Sequence, residues 1–286
     1  MYELTFTNEY NESYTITQNN NFRMQYLDGF YSSSASISTT KVGRKAGTKF
    51  ASRTVDERNL GIYFYIMRDV EVNRIDLYRI FRGSGKITVH YKSATRNVTI
   101  DGYVDDLNIN PNNNPTTVQV IILCPYPYFK SIDKIIEEIS IVERNFAFPF
   151  SYEEEGDTFS YIQDSAEETV VNLGNNEVGM TIELNAIADV TNPIIYNRET
   201  NEFFGIGNDS TEFTMYAGDL VTIDTKNKTV YLNRKGENIN IFNYIRTDSK
   251  WLTLRPGDNL FTYTAQDNNI ASLELYFHHQ DEYEGV

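Results

Sequence analysis

Cysteine is all but missing from this chain of 286 residues: the single Cys124 excludes an internal disulfide and any zinc site of the Cys-rich type. It closes the apolar run Val120-Ile121-Ile122-Leu123-Cys124. A thiol set in such surroundings has a raised pKa and is inert, so Cys124 reads as core and not as a nucleophile. One sulfur without a partner also suits synthesis in a reducing cytoplasm. Histidine is scarce too, with three residues. Of the three, His278 and His279 are adjacent and in a strand would point to opposite faces, which argues against a two-His metal clamp. Seven prolines and 16 glycines, with no tract dominated by one residue type, argue against wholesale disorder and against a fibrous repeat. No stretch approaches the roughly 18 apolar residues of a membrane span. The start, MYELTFTNEYNESYTITQNN, has neither the basic beginning nor the apolar run of a secretory signal. The expectation is a soluble chain. DxDxDG calcium loops and GxxxxGKS/T phosphate loops are missing too, and Gly205-Ile206-Gly207 lacks the third glycine of a dinucleotide fingerprint. Neither a cofactor nor a metal is expected.

What the chain has in quantity is aromatic surface. Aromatic residues make up 14% of it, with 21 Tyr and 17 Phe, and flat rings pack well on a pleated, half-buried surface, so strands are favoured over helices. The length allows about two domains of roughly 100 to 200 residues each. Charge is divided unevenly. Residues 1–145 hold 17 Lys and Arg against 16 Asp and Glu, near +1, whereas residues 146–286 hold 8 against 24, or −16. A uniformly acidic half cannot neutralise a phosphate backbone, so sequence-independent nucleic-acid binding by it is disfavoured. Its acids read as a solubilising outer surface.

The first half is patterned as strands from the start, with Leu4 and Phe6, then Phe22 to Leu27 before the turn pair Asp28-Gly29. Between Ser38 and Asn59 the chain turns polar and basic, with only Val42, Phe50 and Val55 as larger apolar residues. Loops beyond about 12 to 15 residues are usually functional or disordered. This one reads as a projecting hairpin that grips a neighbour through Lys41, Arg44, Lys45, Lys49, Phe50, Arg53 and Arg58, with a mobile surface loop as the alternative. Leu60 to Met67 suits a central strand. After Asp69 the period changes: Val70, Leu77, Tyr78 and Phe81 share a face at helical spacing and Gly83 stands as a C-cap, which predicts one helix covering a sheet. Strands are predicted at Lys86–Tyr91, Asn97–Leu107 and Thr117–Cys124, and a short helix over 130–142. The acidic run sets the boundaries: a domain over 1–145, an acidic linker over 146–168 and a second domain over 169–286. In the last, candidate strands, Trp251–Leu254 among them, recur every 8 to 12 residues or so, the rhythm of an antiparallel sandwich.

Paired carboxylates are the remaining catalytic option, since a glycosidase needs only two acids about 5 to 9.5 Å apart. Asp105-Asp106 and Asp281-Glu282 read more simply as solvated turn or terminal charges. Trp251, the sole tryptophan, is the one candidate for stacking on a sugar ring, although its place between Lys250 and Leu252 reads first as core.

A series of stretches then recurs in a recognisable order. The first half has Leu27-Asp28-Gly29, the basic arm ending in Arg58-Asn59-Leu60, the helix after Asp69, Tyr91-Lys92 to Gly102-Tyr103-Val104, and Cys124-Pro125-Tyr126-Pro127-Tyr128-Phe129. The second half has Asn172-Leu173-Gly174-Asn175, Asn192-Pro193-Ile194-Ile195-Tyr196-Asn197, Gly218-Asp219 through Ile223-Asp224-Thr225, and Trp251 through Asn259. Together they resemble the distal tail proteins of long, non-contractile-tailed bacteriophages (siphoviruses), over nearly the whole chain. The resemblance implies a mostly β protein. Its N-terminal domain would be a split-barrel, tail-tube-like sheet with one covering helix, forming a six-membered ring around a channel. Its C-terminal domain would be a galectin-like antiparallel β-sandwich pointing outward. It further implies a place at the distal end of the virion tail, after synthesis in the host cytoplasm. The implied partners are other copies in the hexameric ring, the tail tube protein, the tape-measure protein, a tail-associated tip protein and a receptor-binding protein. No membrane and no specific nucleic acid is implied, DNA only passing through the channel. The family has no catalytic residues to carry over. Two other readings stay open: a carbohydrate-binding module that recognises host cell-wall glycans through the second half, with Trp251 as the contact, and a hydrolase using paired acids.

Overall fold

The computed structural model describes residues 2–18, 21–43, 46–132, 134–139, 142–144, 160–162, 167–266 and 272–286. Two compact units divide the chain: Met1–Ile132 with Glu282–Val286, and Asp133–Asp281. These limits differ from the expected 1–145 and 169–286, because residues 135–139 belong to the second unit and the last five residues to the first. Most of the acidic run, 146–168, falls outside the described residues.

The first unit is built on an antiparallel sheet. Its strands are β1 (Glu3–Asn8), β2 (Ser13–Thr17), β3 (Phe22–Asp28), β6 (Arg58–Ile66), β7 (Lys86–Lys92), β8 (Asn97–Asn110) and β9 (Thr116–Cys124), in the order β2-β1-β7-β8-β9-β6-β3. Between β3 and β6 come β4 (Ala35–Lys41) and β5 (Thr48–Val55), which among the described residues pair only with each other. Period-two patterning holds the main sheet to its core. Along β9, Val118, Val120, Ile122 and Cys124 are buried while the residues between them are half-exposed. Each such fully buried aliphatic side chain stabilises the fold by roughly 1.5–3 kcal/mol. Tyr14 of β2 meets Phe22 of β3 edge-to-face at 6.0 Å, so the two ends of the sheet approach each other and the sheet curls on itself.

One helix, α1 (Val70–Ile80), joins the unit as expected. Its inward residues are Asn73, Leu77 and Ile80, followed by Phe81, which packs on Phe6 at 4.8 Å. Asp69 gives no side-chain cap; Asn73 Nδ2 instead donates to the carbonyls of Arg68 and Asp69, and Tyr14 donates to Asn73 Oδ1. Tyr78 departs from the expected buried face: it is 45% exposed, under the Arg74 guanidinium. The helix also stops before Gly83, because Phe81 leaves the helical region at φ −94°, ψ 63°.

The expected helix over 130–142 is replaced by extended chain. β10 (Phe129–Ser131) pairs with β8 and with the returning residues Glu282–Tyr283, and β11 (Ile135–Ile139) pairs with a strand of the second unit. Ile135 and Ile136 are β-branched and fit a pleat, and the strand that pairs with them lies about 140 positions away, beyond the reach of a local pattern.

The second unit is an antiparallel sandwich. After the small pair β12 (Val142–Arg144) and β13 (Ser160–Ile162) come β14 (Glu167–Asn172), β15 (Thr181–Ala186), β16 (Val190–Thr191), β17 (Ile194–Asn197), β18 (Glu202–Gly205), β19 (Thr214–Met215), β20 (Leu220–Asp224), β21 (Thr229–Arg234), β22 (Glu237–Asn240), β23 (Gly257–Thr264) and β24 (Leu273–His279). One sheet runs β11-β24-β15-β20-β21-β22 and the other β14-β23-β17-β18. Their inner residues, among them Ile182, Val221, Leu275, Ile195 and Phe204, form one core, with Phe261 against Phe277 at 4.8 Å joining the two layers. Residues 251–254 alternate in burial as a strand would, yet only Leu254 bridges, exchanging backbone hydrogen bonds with Val178.

Candidate assembly site

The basic stretch expected to project does form a hairpin. β4 and β5 pair from Ala35↔Val55 to Lys41↔Thr48, and every residue of Ser36–Lys41 and Thr48–Thr54 is exposed. Its foot is fixed by Ser36 Oγ donating to the Asp56 carboxylate at 3.0 Å and by Asp56 N donating to Ser34 O at 3.1 Å. A two-stranded ribbon without a third layer is marginal in water.

The pairing decides which side chains share a face. The register slips between Ser38↔Ser52 and Thr39↔Phe50, leaving Ala51 as the extra residue of a β-bulge. In a regular strand Phe50 and Arg53, three residues apart, would face opposite ways. The bulge turns Phe50 back, so that Ala35, Ile37, Phe50 and Val55 lie on one face with Arg53 and Lys41, while Ser36, Ser38, Thr40, Lys49, Ser52 and Thr54 lie on the other. The ribbon is therefore amphipathic, and its apolar face is open: Ile37 is 64% and Phe50 61% exposed. Ile37 lies one residue before the stretch singled out from the sequence. Its β-branched, apolar side chain in the Ser/Thr-rich stretch 32–40 was the available signal.

The other residues named from the sequence distribute as follows. Lys41, Lys49, Phe50 and Arg53 are on the hairpin, and Arg44 and Lys45 lie outside the described residues. Arg58 is a correction, because it is not on the hairpin at all. It opens β6 and is 3% exposed, with Nε, Nη1 and Nη2 donating to the carbonyls of Pro127, Gly29 and Glu284, each at 2.6 Å. Burial lowers its pKa, against nearby Cys124, Glu284 and Tyr128. Cys124 is buried, and desolvation pushes its thiol up to about 12, far from reactivity at neutral pH. Trp251 packs at the edge of the sandwich core, 5.0 Å from the ring of Phe204 and 6.3 Å from that of Phe242. The acids Asp281 and Glu282, expected to be solvated, are both buried. Asp281 faces His279 at 3.4 Å and Glu282 accepts from Tyr126 Oη at 2.5 Å. Asp105 and Asp106 are exposed.

With this geometry in hand, comparison with known proteins identifies the scaffold. Residues 173–280 match the family model described as "Siphovirus-type tail component, C-terminal domain". Among curated proteins no sequence matches the chain. Among solved structures the chain is similar to the Dit (gp 19.1) protein of phage SPP1, described as a paradigm of the hub adsorption apparatus in phages infecting Gram-positive hosts. The TM-score is 0.65 at 10% identity, over 97% of this chain and 98% of that one. A chain of the phage P2 baseplate in its activated conformation with Ca aligns over 100% of this chain and 99% of its own, at a TM-score of 0.49 and 10% identity. Residues 173–280 therefore match the C-terminal domain of siphovirus-type tail components, on a chain that shares the fold of the SPP1 Dit protein along nearly its whole length.

Proposed function

We propose that this chain is a structural, non-catalytic subunit of a phage tail tip, at the distal end of the virion tail. Its copies close head-to-tail into a six-membered ring that joins the tail tube protein to the tip and receptor-binding proteins. The ring leaves a passage for the tape-measure protein and for DNA. The observation that carries this reading is the hairpin β4–β5, an apolar face presented on a ribbon that has no third layer among the described residues. A head-to-tail ring needs different surfaces on its two flanks, one of which reaches and one of which receives. Placed on the neighbouring copy, the hairpin gains its missing layer, and burying Ile37 and Phe50 contributes roughly 1.5–3 kcal/mol each. Lys41, Lys49 and Arg53 form no ion pair among the described residues, so their charges are available to a carboxylate across the interface.

Native mass spectrometry and light scattering at tens of micromolar test the reading. The unaltered chain is expected as a closed hexamer, and Ile37→Ser with Phe50→Ser as monomer with an unchanged fold. A monomeric parent, or a hexamer indifferent to the double substitution, overturns it.

A further inference from the structure

A second site lies within the sandwich and involves neither the hairpin nor Trp251. A cleft of about 410 Å³ opens beside β19 and the ends of β21 and β22, within the usual size of small-ligand sites. Its floor is apolar, made by the buried Phe213, Leu232 and Ile241. Its rim is polar and aromatic: Glu212, Tyr216 and Tyr244 are exposed there, the Tyr244 ring resting 5.2 Å from that of Phe213.

Arg234 enters this cleft already fixed. Its Nε and Nη2 both donate to the buried Asp219 carboxylate, at 2.6–3.1 Å, and Nη2 also donates to Thr214 O at 2.9 Å. Asp219 at the same time accepts from Tyr216 N at 2.8 Å, and the guanidinium lies 4.6 Å over the Tyr216 ring. One buried acid thus orients both a cation and an aromatic wall. Nη1 is the one guanidinium nitrogen that this arrangement does not engage. A site held in shape before its ligand arrives avoids part of the ordering cost of binding.

The groups around the cleft select a ligand class. An aromatic face takes the CH side of a pyranose ring, while a carboxylate acceptor and a guanidinium donor take its hydroxyls. A polyanionic glycan is disfavoured, since residues 146–286 carry −16 and Glu212 stands at the rim. An extended peptide paired on the open edge of β22 would fill the apolar floor but leave Glu212 and Arg234 Nη1 unused. We propose that this cleft binds a neutral saccharide one or two rings long, stacked on Tyr216 or Tyr244 with its hydroxyls on Glu212 and Arg234. The site stands apart from the ring reading, since none of its residues is on the hairpin.

The full chain is titrated calorimetrically with glucose, galactose and N-acetylglucosamine oligomers of two to four units, and with poly(glycerol phosphate) as the anionic arm. Saturable binding of at least one neutral oligomer is expected. Glu212→Gln, at an exposed position, should leave the melting temperature unchanged, while Tyr216→Ala and Tyr244→Ala, which remove packing on Arg234 and Phe213, should lower it slightly and keep the fold; the glutamate change and at least one tyrosine change should each weaken binding roughly tenfold. Trp251→Phe should leave it unaltered. Failure of every neutral probe at tens of millimolar overturns the proposal. So does binding that survives the double change at Tyr216 and Tyr244, or a preference for poly(glycerol phosphate). Oligomeric state, unaffected by these substitutions, reports on the ring separately.

Discussion

Arg58 carries a cation into the interior of the first unit, and its three carbonyl acceptors come from three distant stretches of chain, at Gly29, Pro127 and Glu284. A buried charge is tolerated only where its donors are satisfied, and here the planar fork meets one carbonyl on each nitrogen while the ring of Phe129 lies 5.0 Å away. Arg58→Met keeps the stem and strands the three acceptors, at a cost of about 3 kcal/mol or more. Hydrogen exchange should then show residues 282–286 losing protection ahead of the rest of the unit; unchanged protection there would refute the role. His279 is the other buried ionisable group with a consequence. It is 3% exposed and burial holds its pKa below the usual 6.5, with Asp281 pulling the other way. A depressed pKa means that the unfolded chain takes up the proton first. The sandwich therefore keeps this contribution above about pH 6.5 and loses it as the pH falls through the folded value. His279→Gln should flatten that leg of a stability profile taken between about pH 7 and pH 5, and an unaltered slope would show that another group sets it.

At the scale of elements, the hairpin was legible in the sequence as a segment too polar and too long to pack on its own domain. Its working face was not. That face depends on the bulge at Ala51, which is a property of the pairing and not of either strand alone. The consequence is an asymmetry between two sets of exposed residues. Substitutions on the apolar side, at Ile37 or Phe50, should dissociate the proposed ring. Thr40→Ala and Ser52→Ala on the opposite side should not, and because all four side chains are exposed, each change should move monomer stability by no more than about 0.5 kcal/mol. Equal sensitivity of the two faces by sedimentation would mean that the hairpin is not held face-on. Residues 251–254 and 130–142 teach the same lesson. The first has strand periodicity without a strand ladder, and the second reads locally as a helix because its partners, β8, β24 and Glu282–Tyr283, are remote in sequence. The cleft at Tyr216 and Tyr244 left no local signature, since its residues are gathered from three separate segments and oriented through Asp219.

For the whole molecule, composition foretold two β-rich bodies and a concentration of acid in the second, and it could not foretell that the chain would return. The last five residues complete the first unit. Glu282 and Tyr283 pair with β10, Tyr283 is buried under the Arg96 guanidinium, and Val286 N donates to Phe30 O at 3.0 Å. Gly285 permits this approach, because a Cβ there would stand 2.0 Å from the carbonyl oxygen of Tyr31. A chain ending at Asp281 therefore keeps every strand of the sandwich while removing one acceptor of Arg58, the partner strand of β10 and the carboxylate that receives Tyr126 Oη. In calorimetry the transition of the first unit should fall by several degrees, while that of residues 133–281 stays where it is. Supplying the missing five residues fused ahead of Met1 through a flexible linker should restore only part of the loss, since the strand must then reach β10 from the other end of the chain. If both transitions fall together, or neither moves, residues 282–286 are not the closing strand of the first unit, and the buried Arg58 must be satisfied in some other way.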